Sequence, residues 1–313
     1  MTQRLIISAI LAVLACVANV DAQGFDPCRK QGGFTSFAVV EVTLQPHVWA
    51  YRASDGTVCI DAIDYAGLGY TPAYYYMWDK GFSGVAAVGD PYIWAYRPSD
   101  GVTAIHQIKA FGQGFTQKYL YKWDTGFSGF ASFDLAGTRY MWAYRANDGR
   151  VCIHKVAGGG TSFTQTYMYQ WDTRFSAFAS FLLSGKSYVW AYRASDGMVA
   201  IHELNSGGLG FTQRYLYKWD TGFTGFTTFS INGAPYVWAY RASDGRICIH
   251  KIATGGAGFA QTYMYKWDTG FSSFVTLRLG GGDYIWAYRA SDGRVCIHRI
   301  KPSGAGFTQV FMG

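Results

Sequence analysis

Tyr140-Met141-Trp142-Ala143-Tyr144-Arg145-Ala146-Asn147-Asp148-Gly149-Arg150-Val151-Cys152-Ile153-His154 reads as two β-strands joined by a tight turn. The flanks are aromatic and β-branched, which suits a pleated surface, and Asp-Gly supplies the positive φ and local hydrogen bonding of a hairpin. The motif recurs. Trp-Ala-Tyr-Arg stands at Trp49, Trp94, Trp142, Trp190, Trp238 and Trp286, at spacings of 45, 48, 48, 48 and 48 residues. A regular period of this length marks a repeat architecture, in which each unit buries its faces only against its neighbours.

Working outward, each unit carries four runs of strand composition separated by turn signals. In chain order these are A (the run from Phe175 to Phe181 in one copy), B (the Trp-Ala-Tyr-Arg run), C (the run ending in His) and D (the run from Phe163 to Tyr169). Short connections make each unit an antiparallel meander. Strands B and C are apolar or small on both faces, so both faces must be covered. Radial stacking covers them and leaves few exposed edges. The expected fold is therefore all-β, a six-bladed β-propeller of four-stranded antiparallel blades. A β-solenoid or two three-unit domains are the rivals, and the lack of any linker argues against the second.

Residues 1–22 read as a signal peptide, with Arg4, an apolar run Leu5 to Ala15, and Val20-Asp21-Ala22 before a cut. Residues 23–33 form a lead-in and 34–313 a single propeller domain. Secretion is the expected localisation. Val13-Leu14-Ala15-Cys16 is a loose lipidation signal and makes a lipoprotein the alternative. No later run is long enough to span a bilayer as a helix. Nothing in the sequence sets an oligomeric state.

Tyr, Phe and Trp number 24, 22 and 11, ample for a large core, while 15% of residues are charged and the formal net charge is +7. The basic excess favours anionic partners such as acidic glycans and is too diffuse for nucleic acid. Most aromatics outside the connections are expected in the core.

A meander places successive turns at alternate ends of the sheet. The B–C turns and D–A connections thus share one face of the disc, and the A–B and C–D loops the other. The first face collects Arg52, Arg97, Arg145, Arg193, Arg241 and Arg289 from strand B and Asp55, Asp100, Asp148, Asp196, Asp244 and Asp292 from the turns. It also collects the pairs Trp78-Asp79, Trp123-Asp124, Trp171-Asp172, Trp219-Asp220 and Trp267-Asp268 from the D–A connections. The second face holds irregular Gly-rich loops such as Ala157-Gly158-Gly159-Gly160 and Asn205-Ser206-Gly207-Gly208.

Arg, Asp and Trp together are what a sugar requires, because an aromatic face stacks on pyranose C–H groups while Arg and Asp bond its hydroxyls. Repetition around a disc supplies avidity. Before the first unit, Cys28-Arg29-Lys30-Gln31 stands where Trp-Asp-Thr-Gly belongs, so five intact sites and one defective one are expected. The alternative is structural: the turn Asp serves its hairpin, and Arg, Asp and His clamp each blade internally.

Cys59, Cys152, Cys248 and Cys296 share one repeat position with Ala104 and Ala200, which suggests small buried thiols. Cys28 lies outside the pattern and has one of them as a conceivable partner. His106, His154, His202, His250 and His298 lie two residues beyond that position, with Asp61 in unit one. Cys-x-His supplies too few ligands for a closed zinc site, so neither metal nor cofactor is expected. Of the 20 acidic residues, the 11 just named in turns and connections repeat, and no unique pair or triad stands out for catalysis. The expectation is a binding protein and not an enzyme.

The unit resembles those of secreted β-propeller lectins of the tachylectin-like and bacterial propeller-lectin type, over Phe34 to Phe311. The shared features are the aromatic-x-Tyr-Arg strand, the Asp-Gly turn, the Ile-His strand and the Trp-x-x-Gly-Phe-Ser connection. The resemblance implies glycan or glycoconjugate partners, acidic ones among them, bound between blades without catalysis. A structural or adhesive matrix protein and a glycan-active propeller enzyme are the other readings.

Overall fold

The computed structural model describes residue 28 and residues 32–313; the expected signal peptide and most of the expected lead-in lie outside the described residues. Six four-stranded antiparallel sheets span residues 36–77, 84–122, 129–170, 177–218, 225–266 and 273–312. Each takes all four strands from one continuous stretch of chain, in spatial order A-B-C-D. In blade 3, A is Gly129–Leu135, B Thr138–Arg145, C Arg150–Val156 and D Phe163–Gln170. Strand A of each blade touches strand A of the next, and that of blade 6 touches that of blade 1, which closes the ring around a central axis. The expected six-bladed propeller is the observed architecture.

Burial follows the strand order. B and C are buried on both faces, and Trp49, Trp94, Trp142, Trp190 and Trp238 have no exposed surface. Each lies between two blades, as Trp142 does against Phe211 of blade 4 at 4.9 Å. At the axis, Ser180, Thr228 and Thr276 donate hydroxyl hydrogen bonds to the carbonyls of Ser132, Ser180 and Thr228, tying blades 3 to 6 edge to edge. On the outside, the C–D register slips by one residue between Ile153 and His154, and equivalently in every blade. The bulge leaves Ala73, Lys118, Thr166, Arg214, Thr262 and Val310 without a partner in the ladder. Variation is tolerated there because an unpaired residue carries no ladder constraint.

Three expectations need correction. The C–D loops are not irregular: four of them make the same short 3-10 turn. In these turns Gly112, Gly160, Gly208 and Gly256 have positive φ and press on the preceding blade. A Cβ on Gly160 would lie 2.8 Å from Ile105 and 2.9 Å from Tyr92. Strand D is not core, because as the outermost strand it has no further strand to cover it. Tyr121, Tyr169, Tyr217 and Tyr265 are about half exposed. Finally, Cys59 is no free thiol but forms a disulfide with Cys28. Cys152, Cys248 and Cys296 are buried and free, and burial pushes their thiols up, that of Cys152 to about 12.

Candidate functional site

The B–C turns and D–A connections do share a face. The Trp171 N–H donates to Gly149 C=O at 2.8 Å, and the Arg174 N–H to Ala146 C=O at 3.0 Å. This contact explains the glycine of the Asp-Gly turn twice over: Gly149 has φ +73°, and a Cβ there would run into the Trp171 carbonyl.

The boundary between blades 2 and 3 shows the pattern. Arg145, at the end of strand B, donates from Nε to both Asp148 carboxylate oxygens at 3.0 Å and from its second Nη group at 2.5 Å. Its other Nη donates to Thr125 C=O at 3.3 Å, and its plane lies over the Phe127 ring at 5.4 Å. Asp148 also accepts the Arg150 N–H at 3.1 Å. The paired guanidinium holds the Asp148 carboxyl below its ordinary range, and Asp244 and Asp292, paired the same way, reach about 2. The same clamp recurs from Arg52–Asp55 to Arg289–Asp292. The Arg and turn-Asp groups thus spend their hydrogen-bonding edges on one another.

Trp123, from the D–A connection, stacks on Phe127 at 4.1 Å and meets His154 of blade 3 edge-on at 4.3 Å. The Tyr96 hydroxyl donates to Asp124 C=O at 2.7 Å and accepts the Phe127 N–H at 3.4 Å, latching blade 2 to the connection. The Trp rings of all five connections remain half-buried, and the adjacent Asp residues are exposed. Each strand-C His is buried against such a Trp, and desolvation lowers its pKa to about 3 for His154 and His202 and about 4 for His106, His250 and His298. These imidazoles are packing elements.

Trp123, Asp124, Arg145 and Asp148 therefore meet at one boundary, drawn from blade 3 and the connection leading into it. What this boundary presents to solvent is Trp123, the Asp124 carboxylate, Arg150 and the partly exposed Asp148. Sequence reasoning missed Arg150, whose Nη lies 3.0 Å from Asp124 and whose Nε lies 3.9 Å from Asp148. Arg246 and Arg294 repeat it, but Val102 and Met198 replace it in blades 2 and 4. A cation two residues beyond the turn Asp was the available signal.

The sixth boundary is built differently, with a shift of register. Gly33, not Gln31, occupies the place of the connection's Gly, since its N–H donates to Ala290 C=O as that of Gly81 does to Ala53 C=O. Arg52 keeps its clamp on Asp55, lies over Phe34 at 5.2 Å and donates to Gly32 C=O. Here the Cys28–Cys59 disulfide and Asp61 stand in place of the Trp–His contact.

No protein-family profile matches the sequence, and no curated protein matches it. Solved structures do match the fold. One is the SapL1 lectin in complex with alpha-methyl fucoside (TM-score 0.62, 12% identity, covering 89% of this chain and 96% of that one). Another is a mutant Aleuria aurantia lectin in complex with Fucα1-6GlcNAc (0.63, 11%, 90% and 96%). A third is a candidate 6-phosphogluconolactonase from Bacteroides uniformis (0.61, 11%, 87% and 83%). At these identities the likeness is one of fold. It corrects the expectation that this chain is not an enzyme, because the same architecture includes proteins named as lactonases. The lack of a distinctive carboxylate pair in a repeat sequence therefore does not exclude catalysis.

Proposed function

We propose that the chain is a secreted, multivalent carbohydrate-binding protein with sites between blades on the face that carries the D–A connections. The observation that carries this reading is a half-buried Trp beside an exposed Asp at five of the six boundaries. Trp123 is held at a fixed angle by Phe127, His154 and Tyr96, so its free surface is pre-organised for a pyranose ring. Asp124 and the similar Asp residues supply acceptors for hydroxyls. The Arg and turn-Asp clamps set the position of the connection. Two of the fold's solved neighbours, named as lectins and bound to fucosides, support the reading. Secretion is supported by the leader composition and by the Cys28–Cys59 disulfide, a bond kept in oxidising compartments.

A glycan array probed with protein beginning at Gln23, with free-sugar competition, tests this. Selective, competed binding is expected. Trp123→Ala is expected to remove one of five sites and lower avidity while leaving the blade folded. Silence across neutral and acidic glycans from folded protein would overturn the reading.

A further inference from the structure

The outer wall of the disc carries a second pattern. At each of five boundaries strand D closes on Tyr-x-Tyr and the connection opens on Trp two residues later: Tyr74-Tyr76-Trp78, Tyr119-Tyr121-Trp123, Tyr167-Tyr169-Trp171, Tyr215-Tyr217-Trp219 and Tyr263-Tyr265-Trp267. A period of two puts the paired tyrosines on one side of the strand. Their rings lie stacked, with centroids 5.9 to 6.3 Å apart and planes within 28°. The first ring of a pair is braced by a Phe of the next blade, as Tyr167 is by Phe211 at 6.1 Å. The second meets the same Phe, as Tyr169 does Phe211 at 5.7 Å, yet keeps about half its surface: Tyr76, Tyr121, Tyr169, Tyr217 and Tyr265 are 46%, 51%, 50%, 54% and 48% exposed.

The units themselves supply the control. At the neighbouring bulge, residues drift from Ala73 through Lys118, Thr166, Arg214 and Thr262 to Val310. The exposed Tyr does not drift wherever a Trp comes two residues later. An exposed aromatic row on an edge strand is a solubility and aggregation liability, and its retention with the Trp ties it to the same use. Charge narrows the ligand. The outer strands of blades 2, 4 and 5 carry Lys118, Lys122, Arg214, Lys218 and Lys266, those of blades 1, 3 and 6 carry no Lys or Arg, and none of the six carries an Asp or Glu. Arg214 is paired with Glu203 and the first-face arginines with aspartates, so the four lysines carry the positive charge of this wall. At blade 3 an open depression of about 470 Å³, lined by Asp148, Arg150, Met168, Tyr169 and Gln170, joins the rim to the face.

We infer that each of the five rows is an open platform for several consecutive residues of a linear, anionic polysaccharide. The Tyr-x-Tyr pair covers about 7 Å of strand and the Trp extends the row past the strand's end, which exceeds one pyranose ring. The rings stack on successive sugars while Lys118, Lys122, Lys218 and Lys266, on the outer strands of blades 2, 4 and 5, attract their carboxylates or sulfates around the wall. This rests on the carbohydrate-binding reading and names the ligand class for it.

The test is calorimetric titration of the intact mature protein. The probes are oligogalacturonates and chondroitin sulfate oligosaccharides of one, two, four and six units, with uncharged xylo-oligosaccharides alongside. The inference expects at least a tenfold gain in affinity per site from monomer to tetramer in an anionic series, weakening with salt. Replacing Tyr76, Tyr121, Tyr169, Tyr217 and Tyr265 together by Thr should lose at least tenfold with the melting transition retained. If that variant fails to fold, Tyr169→Thr alone should lower the stoichiometry from five to four. Monosaccharides bound as tightly as hexamers, or a preference for the uncharged series, would overturn the platform while leaving a lectin. Binding to phosphatidylglycerol vesicles with no response to any oligosaccharide would also overturn it. Silence on the full glycan array would instead defeat the underlying reading.

Discussion

Five blade boundaries share one construction, and the seam between blades 6 and 1 has another. The Arg–Asp clamp is present at all six, and Arg52 binds Asp55 and covers Phe34 at the seam as Arg145 binds Asp148 and covers Phe127 elsewhere. The Tyr latch is also present, with Tyr288 accepting the Phe34 N–H. Among the described residues the seam carries no half-buried Trp of this kind, and Asp61 stands where the other blades have the buried His. A residue kept where the Trp is absent serves the ring, and a residue lost with it serves whatever the Trp serves. The seam thus separates scaffold from site within one molecule, which residue type alone does not.

Acid breaks the comparison most severely. Each of the five His residues has a folded pKa lowered to about 3 or 4 by burial, below its ordinary value of 6.5. The unfolded chain therefore takes up protons first as pH falls, so stability is full above 6.5 and drains away between there and about 4. Melting temperature should be flat from about pH 9 to about pH 7, then drop continuously and collapse before about pH 4. A flat profile all the way down to the folded pKa values would contradict the buried imidazoles, and the His-free seam should contribute nothing to the slope.

Reduction should strike the seam alone. Cys28→Ser with Cys59→Ala opens a loop of sequence separation 31, and chain entropy sets the loss at about 3–4 kcal/mol. Alanine is sterically acceptable there because Ala104 and Ala200 hold the same place. Denaturant unfolding with and without reductant measures the loss, and no difference would mean the seam is held without it. Arg52→Ala and Arg145→Ala should each cost about 1–3 kcal/mol by stranding a carboxylate and a carbonyl. Equal costs confirm a scaffold role, whereas Arg145→Ala that kept stability but lost sugar binding would return Arg145 to the site. Cys152→Ala is the smallest change, below about 1.5 kcal/mol, and its thiol should resist alkylation in the native state.

The repeat spacing made the fold legible, since a meander that is apolar on both faces has few ways to bury itself. It also yielded the shared face of turns and connections, because that results from strand parity. The partners of Arg145 were not legible: its chain neighbour Asp148 was, but the carbonyl of Thr125 and the ring of Phe127 come from the preceding connection, and periodicity gives no distances. Strand D was misread because alternation alone does not tell an outer strand from an inner one. Cys28–Cys59 escaped because the repeat argument applies only to residues inside the repeat, and Cys28 lies before it.

Each blade here is complete in one stretch of about 48 residues, with no strand borrowed from the far end of the chain. Recombination between two misaligned repeats would therefore insert or delete a whole, fully hydrogen-bonded blade together with one Trp-bearing boundary. The number of boundaries can then change in single steps by gene duplication, while the junction with Cys28 travels unchanged at the front of the array. Such a lineage would explore ring size and valency jointly, as one heritable trait.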